Sequence, residues 1–125
     1  MNTALWIVQI VLALAFLASG AMKIMKPHSD LIDSGMEYAE DFSPNSVKAI
    51  GAIEIVAAIG LVLPPAVDVL PNLAALAAAG LVVIMIGAAI VHIRRKEYMP
   101  SLAVNAVLGG LALFVAIGRF GDYSF

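Results

Sequence analysis

Four apolar stretches fill most of this chain, and each is about as long as a helix that crosses a lipid bilayer. They cover residues 4–25, 43–63, 71–93 and 100–119. At 1.5 Å of rise per residue, about 20 residues span a hydrocarbon core of about 30 Å. Lipid offers no hydrogen bonds to a bare backbone, so a spanning segment is a helix or part of a closed barrel. These runs are rich in Ala and Leu and lack the period-two alternation of strands. They predict one all-α domain over residues 1–125, a transmembrane four-helix bundle. Its short connections make successive helices antiparallel neighbours.

Composition agrees. The chain has 125 residues, of which 62% are hydrophobic, whereas soluble domains are typically about 45–50% apolar. It has no cysteine, which excludes disulfides, thiol exchange and thiolate-bound metals. Disulfide-relay oxidoreductases are thereby excluded as well. No basic patch of the nucleic-acid-binding type is present. The first run has small residues at Ala18–Ala21 that imitate a signal-peptide cleavage site. It lacks the positive n-region of a signal peptide and extends far enough to span, so a retained membrane helix is expected.

Prolines punctuate the runs. Pro27 follows the first, Ser43-Pro44 opens the second and Pro64-Pro65 closes it, while Pro71 and Pro100 open the third and fourth. Proline suits a first helical turn, where its missing N–H has no intrahelical partner, and Ser43 is an expected N-cap. The connection at residues 27–42 carries five acids, Asp30, Asp33, Glu37, Glu40 and Asp41, among Leu31, Ile32, Met36 and Tyr38. It reads equally as a short interfacial helix or ordered lid and as a solvated linker. Lys23, Lys26, Lys48, Arg94, Arg95 and Lys96 lie on one side of the predicted bundle, and Arg119 alone on the other. The positive-inside rule then places both termini outside. Trp6, Tyr98, Phe120, Tyr123 and Phe125 lie near membrane ends, as interfacial belt residues do.

Polar residues inside the runs carry the functional signal, because an ionisable group in a membrane helix costs free energy unless paired or wet. Alternating topology brings Lys23, Glu54, His92 and Asn105 to one level on the cytoplasmic side. Helical spacing supports this. Gln9, Ala13, Phe16, Gly20 and Lys23 share a face, as do Gly51, Glu54, Ala58 and Leu61. Met85, Ala88, Ala89 and His92 form a third stripe, and Ser101, Asn105, Gly109 and Ala112 a fourth. Small neighbours mark where membrane helices approach closely.

Each polar residue also has a plainer reading. Burial disfavours the charged form of an unpaired carboxylate, so Glu54 wants Lys23 or His92 beside it. Such a pair serves a bound molecule or merely fixes the bundle. Lys23 has the option of snorkelling to the interface, His92 of sitting at the interface, and Asn105 of acting as interhelical glue. A lone His is no metal site, and His28 completes no ligand motif.

The run Ser19-Gly20-Ala21-Met22-Lys23, then Gly51-Ala52-Ile53-Glu54 with Gly60-Leu61-Val62-Leu63-Pro64, resembles the DoxX-like family of small four-helix membrane proteins. Ala79-Gly80-Leu81 through His92, Asn105 and Gly118-Arg119-Phe120 fit the same pattern. The resemblance covers nearly the whole chain. It implies a bundle in the bacterial inner membrane. For some members it implies a link to quinone reactions, as in a subunit of thiosulfate:quinone oxidoreductase, or to resistance against quinones and catechols. A distant eukaryotic relative assists assembly of ion-channel receptors. Carried to this chain, the resemblance points to Lys23, Glu54, His92 and Asn105.

Three functions follow as expectations. The first is binding of a quinone-like or other small amphipathic molecule in the bundle, linked to membrane redox chemistry. With no cofactor motif of its own, the chain would need a redox partner protein or a diffusible quinone. The second is a non-catalytic assembly or accessory protein. The third is a small proton-coupled transporter, which the six-to-one charge bias disfavours in its antiparallel-dimer form. Whether there is turnover stays open. Gly87 and Gly110 are expected to face outward and suit a homo-oligomer.

Overall fold

The computed structural model describes residues 1–33, 42–98 and 101–125. Glu37, Glu40, Asp41, Met36, Tyr38 and Pro100 lie outside the described residues. The elements are α1 (Asn2–Met25), α2 (His28–Asp33), α3 (Pro44–Ala66), α4 (Leu73–Arg94) and α5 (Ser101–Phe120). There is no strand among the described residues. All but α2 are long and apolar enough to cross a membrane.

Local chemistry sets the ends. Lys26 is extended at φ −83 and ψ 141, as the clash with a following proline demands, and α1 stops there. Ser43 caps α3 as expected, its Oγ accepting from the Ser46 N–H at 3.1 Å, with Pro44 at the first helical position. Within residues 27–42 the structure places the six-residue helix α2. Its Leu31 is buried against Val47 of α3, with Met22, Ile32 and Phe42 around them.

The other end of α3 departs from the sequence expectation. The helix does not stop at residue 63 but runs through Pro64 and Pro65 to Ala66. A proline inside a helix leaves the carbonyl four residues earlier without its donor, here those of Gly60 and Leu61. For Leu61 a side chain from α1 substitutes, since Gln9 Nε2 donates to the Leu61 carbonyl at 2.6 Å. The helix then closes where Asp68 takes a left-handed φ of 56 and the Val69 N–H reaches back to the Pro64 carbonyl at 3.1 Å.

The long helices form a ring in which α1 and α4 each pack against both α3 and α5. Gln9 of α1 meets Leu61 of α3, and Lys23 meets Glu54. Partners descend along α3 as they ascend along α1, so these two run in opposite directions. Leu5, Leu12, Phe16, Leu61, Leu81 and Val115 fill the interior. The outside is also apolar, with Val56, Val83 and Ile117 exposed. That surface is suited to lipid and not to water.

Helices with lipid on the outside gain little from hydrophobic burial and depend on close packing. The closest approach is at Gly20 and Gly51. A Cβ on Gly20 would lie 2.5 Å from the Gly51 carbonyl oxygen, and one on Gly51 would lie 2.8 Å from that of Gly20. Hydrogen in place of a side chain lets the two backbones touch there. Lys23 and Glu54 follow these glycines by three residues on each helix, which brings them within reach of one another.

Candidate functional site

Lys23, Glu54, His92 and Asn105 all line one cavity of about 470 Å³. Its other walls are mainly apolar and include Phe16, Phe42, Met85 and Leu108. Alternating topology and stripe spacing thus bring together the four polar residues singled out from the sequence.

Lys23 is not a snorkelling residue. It is 6% exposed, Glu54 is 1% exposed, and the Lys23 ammonium forms an ion pair with Glu54 Oε1. The same ammonium donates to Ser19 Oγ at 3.1 Å. A buried pair of this kind recovers its desolvation cost only when its remaining polar atoms are satisfied. Here one is not, because Glu54 Oε2 is buried and has no hydrogen-bond partner among the described residues. The Asn105 amide N–H groups make no interhelical bond among the described residues, where Nδ2 is likewise buried without a partner.

His92 is placed by the end of α4. Lys96 adopts a left-handed φ of 59. Its N–H bonds to the Ile93 carbonyl at 3.0 Å, and the Glu97 N–H bonds to the His92 carbonyl at 2.8 Å. This is the Schellman pattern of helix termination, built without its usual glycine. It folds Glu97 back onto the helix end, where its carboxylate accepts from His92 Nδ1 at 3.0 Å and from Arg95 Nε at 3.2 Å. Burial works to raise the Glu97 pKa, but the hydrogen bonds from His92 and Arg95 and their positive charge outweigh it and hold the carboxyl below its usual range. The bond to a carboxylate acceptor puts a proton on Nδ1 and fixes the ring. The basic run beside His92 therefore supplies its orientation, through a glutamate that sequence reading passed over.

A second polar cluster lies at the opposite end of the bundle. Arg119 is 2% exposed. Its Nε donates to Gln9 Oε1 at 2.7 Å, and its Nη1 donates to Asn2 Oδ1 at 2.6 Å and to the Tyr123 carbonyl at 2.9 Å. The guanidinium also sits 4.0 Å from the centroid of Phe125 and 5.8 Å from that of Trp6. Those two rings meet edge to face at 5.5 Å. Trp6 and Phe125 thus enclose a buried cation and are more than belt residues. Gln9 joins Arg119 to the carbonyl released by Pro65. The available signal was polarity inside an apolar run, the same one that marks Glu54.

Gly87 and Gly110 are both exposed, with open space where a Cβ would stand, but Gly87 also borders the cavity. Among the described residues no group of three His, Asp or Glu side chains is placed to hold a metal ion.

No curated protein and no solved structure matches the chain. The model of the DoxX-like family matches residues 7–115. With four membrane-spanning helices and a family match over nearly its whole length, this chain is a multi-pass membrane protein that belongs to the DoxX-like family.

Proposed function

We propose that the cavity binds a small, flat, amphipathic molecule of quinone type, and that the protein serves membrane redox chemistry by holding it. One observation carries this reading. Among the described residues, an acceptor without a donor, Glu54 Oε2, and a donor without an acceptor, Asn105 Nδ2, belong to residues that line the same largely apolar cavity. Small-molecule sites are commonly about 300–1,000 Å³, apolar, with a few placed polar groups, and the 470 Å³ cavity fits that description. Flat rings with oxygens at their edge match such walls and such polar groups. The ligand would supply the redox chemistry and a partner protein in the same membrane the electrons.

The same proposal puts the chain in a bacterial inner membrane. The positive-inside rule sets Lys23, Lys48 and Arg94–Lys96 toward the cytoplasm and both termini outside. Outward Gly110, with open space around it, suits contact with a second copy.

The test is ligand identification on the purified protein by mass spectrometry, followed by anaerobic titration of a short-chain ubiquinone or menaquinone analogue in its reduced, quinol form. Saturable binding that weakens about ten-fold in Glu54→Gln is expected from loss of a charge-assisted contact. No saturable ligand, with Glu54→Gln merely less stable, would refute it. That outcome would favour a non-catalytic accessory role. The Lys23–Glu54 pair stitching α1 to α3 is the observation behind that second reading.

A further inference from the structure

We infer that the cavity prefers the hydroxylated, reduced form of its ring ligand over the oxidised form. This rests on the ring-binding reading above and adds the redox state that the site selects.

The two carboxylate oxygens of Glu54 differ in their surroundings. One carboxylate oxygen takes the Lys23 ammonium, while Oε2 is buried and unpartnered among the described residues. A carboxylate ion-paired to a lysine is an acceptor only. A buried acceptor is stabilised only by a donor, and leaving it without one costs free energy. Asn105 Nδ2 has the opposite need, since it can only donate.

The two ligand forms differ in what they offer. A quinone presents carbonyl oxygens, which are acceptors. It suits Asn105, but against Glu54 it sets lone pairs beside a carboxylate. A dihydroxy ring presents oxygens that both donate and accept. One hydroxyl donates to Glu54 Oε2 while the other oxygen accepts from Asn105 Nδ2, so each unpartnered group finds its complement. The remaining N–H of Lys23, beyond those on Ser19 and Glu54, does not discriminate, because both forms offer it an acceptor. Glu54 Oε2 is therefore the group that reads the redox state of the ring.

Three probes separate the possibilities on the full-length protein in detergent micelles. They are a short-chain benzoquinol kept under anaerobic conditions, the matching benzoquinone, and the bis-methyl ether of the quinol. The ether keeps the ring and its acceptor oxygens but has no O–H and no redox chemistry. The quinol is expected to bind at least about ten-fold tighter than either of the others. Glu54→Gln brings an amide N–H that a quinone can accept from, and it should shrink that ratio to about three-fold or less. Asn105→Leu should weaken all three probes and leave the ratio unchanged. Should Glu54→Gln fail to fold, the quinol-to-ether comparison on the unaltered protein still decides.

If quinone or ether binds as well as quinol, the redox preference is overturned while ring binding stands. A ratio that survives in Glu54→Gln overturns the role given to Glu54. Absence of saturable binding for all three probes overturns both this inference and the ring-binding proposal.

Discussion

Alanine at Gly20 tests how the contact between α1 and α3 builds the site. Its Cβ would stand 2.5 Å from the Gly51 carbonyl oxygen and 2.7 Å from Ile55 Cγ1. Ordinary contact begins at 3.4 Å, so the shortfall from 2.5 Å is about 0.9 Å. The obstructing oxygen is backbone and has no rotamer to change, so the helices must separate. Overpacking of a close-packed contact costs about 1–3 kcal/mol. Separation also strains the Lys23–Glu54 pair nearby. A loss of about 2–3 kcal/mol is therefore expected. Gly110→Ala is the control, because no described residue lies within 4 Å of the new Cβ. Helix propensity alone makes that change neutral or stabilising by up to about 1 kcal/mol. Reversible unfolding by SDS in mixed micelles, followed by helicity and by Trp6 fluorescence, measures both variants. If Gly20→Ala proves as stable as Gly110→Ala, the backbone contact does not hold α1 on α3, and this account of how the ion pair is positioned fails.

Further predictions concern the two polar clusters and can be read in the same unfolding assay. Lys23→Met strands a buried carboxylate and should cost about 3–5 kcal/mol, with much of it recovered in Lys23→Met/Glu54→Leu; additive losses in the double variant would contradict the pairing. Gln9→Leu removes the donor to the Leu61 carbonyl and the acceptor of Arg119, for about 1–3 kcal/mol per stranded group. Pro65→Ala restores a backbone N–H for that carbonyl, so it should soften the Gln9→Leu penalty, and a double-variant cycle without coupling would rule out the substitution of side chain for backbone. Glu97 is held below its usual range in the folded protein. Its contribution is therefore present above the ordinary glutamate value and is lost as pH falls through the depressed folded value. The stability gap between wild type and Glu97→Gln should accordingly close on acidification, and a gap that widens toward low pH would reverse the assigned sign.

Much of this molecule is set by one-dimensional chemistry. The length and apolarity of the four runs, without the period-two alternation of barrel strands, give spanning helices, because lipid makes the backbone bond itself. Pro27 and Ser43-Pro44 mark helix ends through local sterics and capping, which need no tertiary partner. The shared level of Lys23, Glu54, His92 and Asn105 follows from counting residues along alternating spans, and the shared face from a period of 3.6 residues.

Other features depend on which helix lies beside which. Pro64-Pro65 reads locally as a stop, and it is Gln9 of α1, 52 residues away, that satisfies the carbonyl of Leu61. Arg119 reads as the lone cation of one membrane face, yet Gln9 lies 110 residues from it along the chain and beside it in space. Glu97 reaches His92 because Lys96 takes a left-handed turn that its side-chain type does not favour. The open hydrogen-bonding positions on Glu54 and Asn105 emerge only once every neighbour has been placed. Whether a buried polar atom is satisfied depends on three-dimensional surroundings, and no residue spacing encodes it.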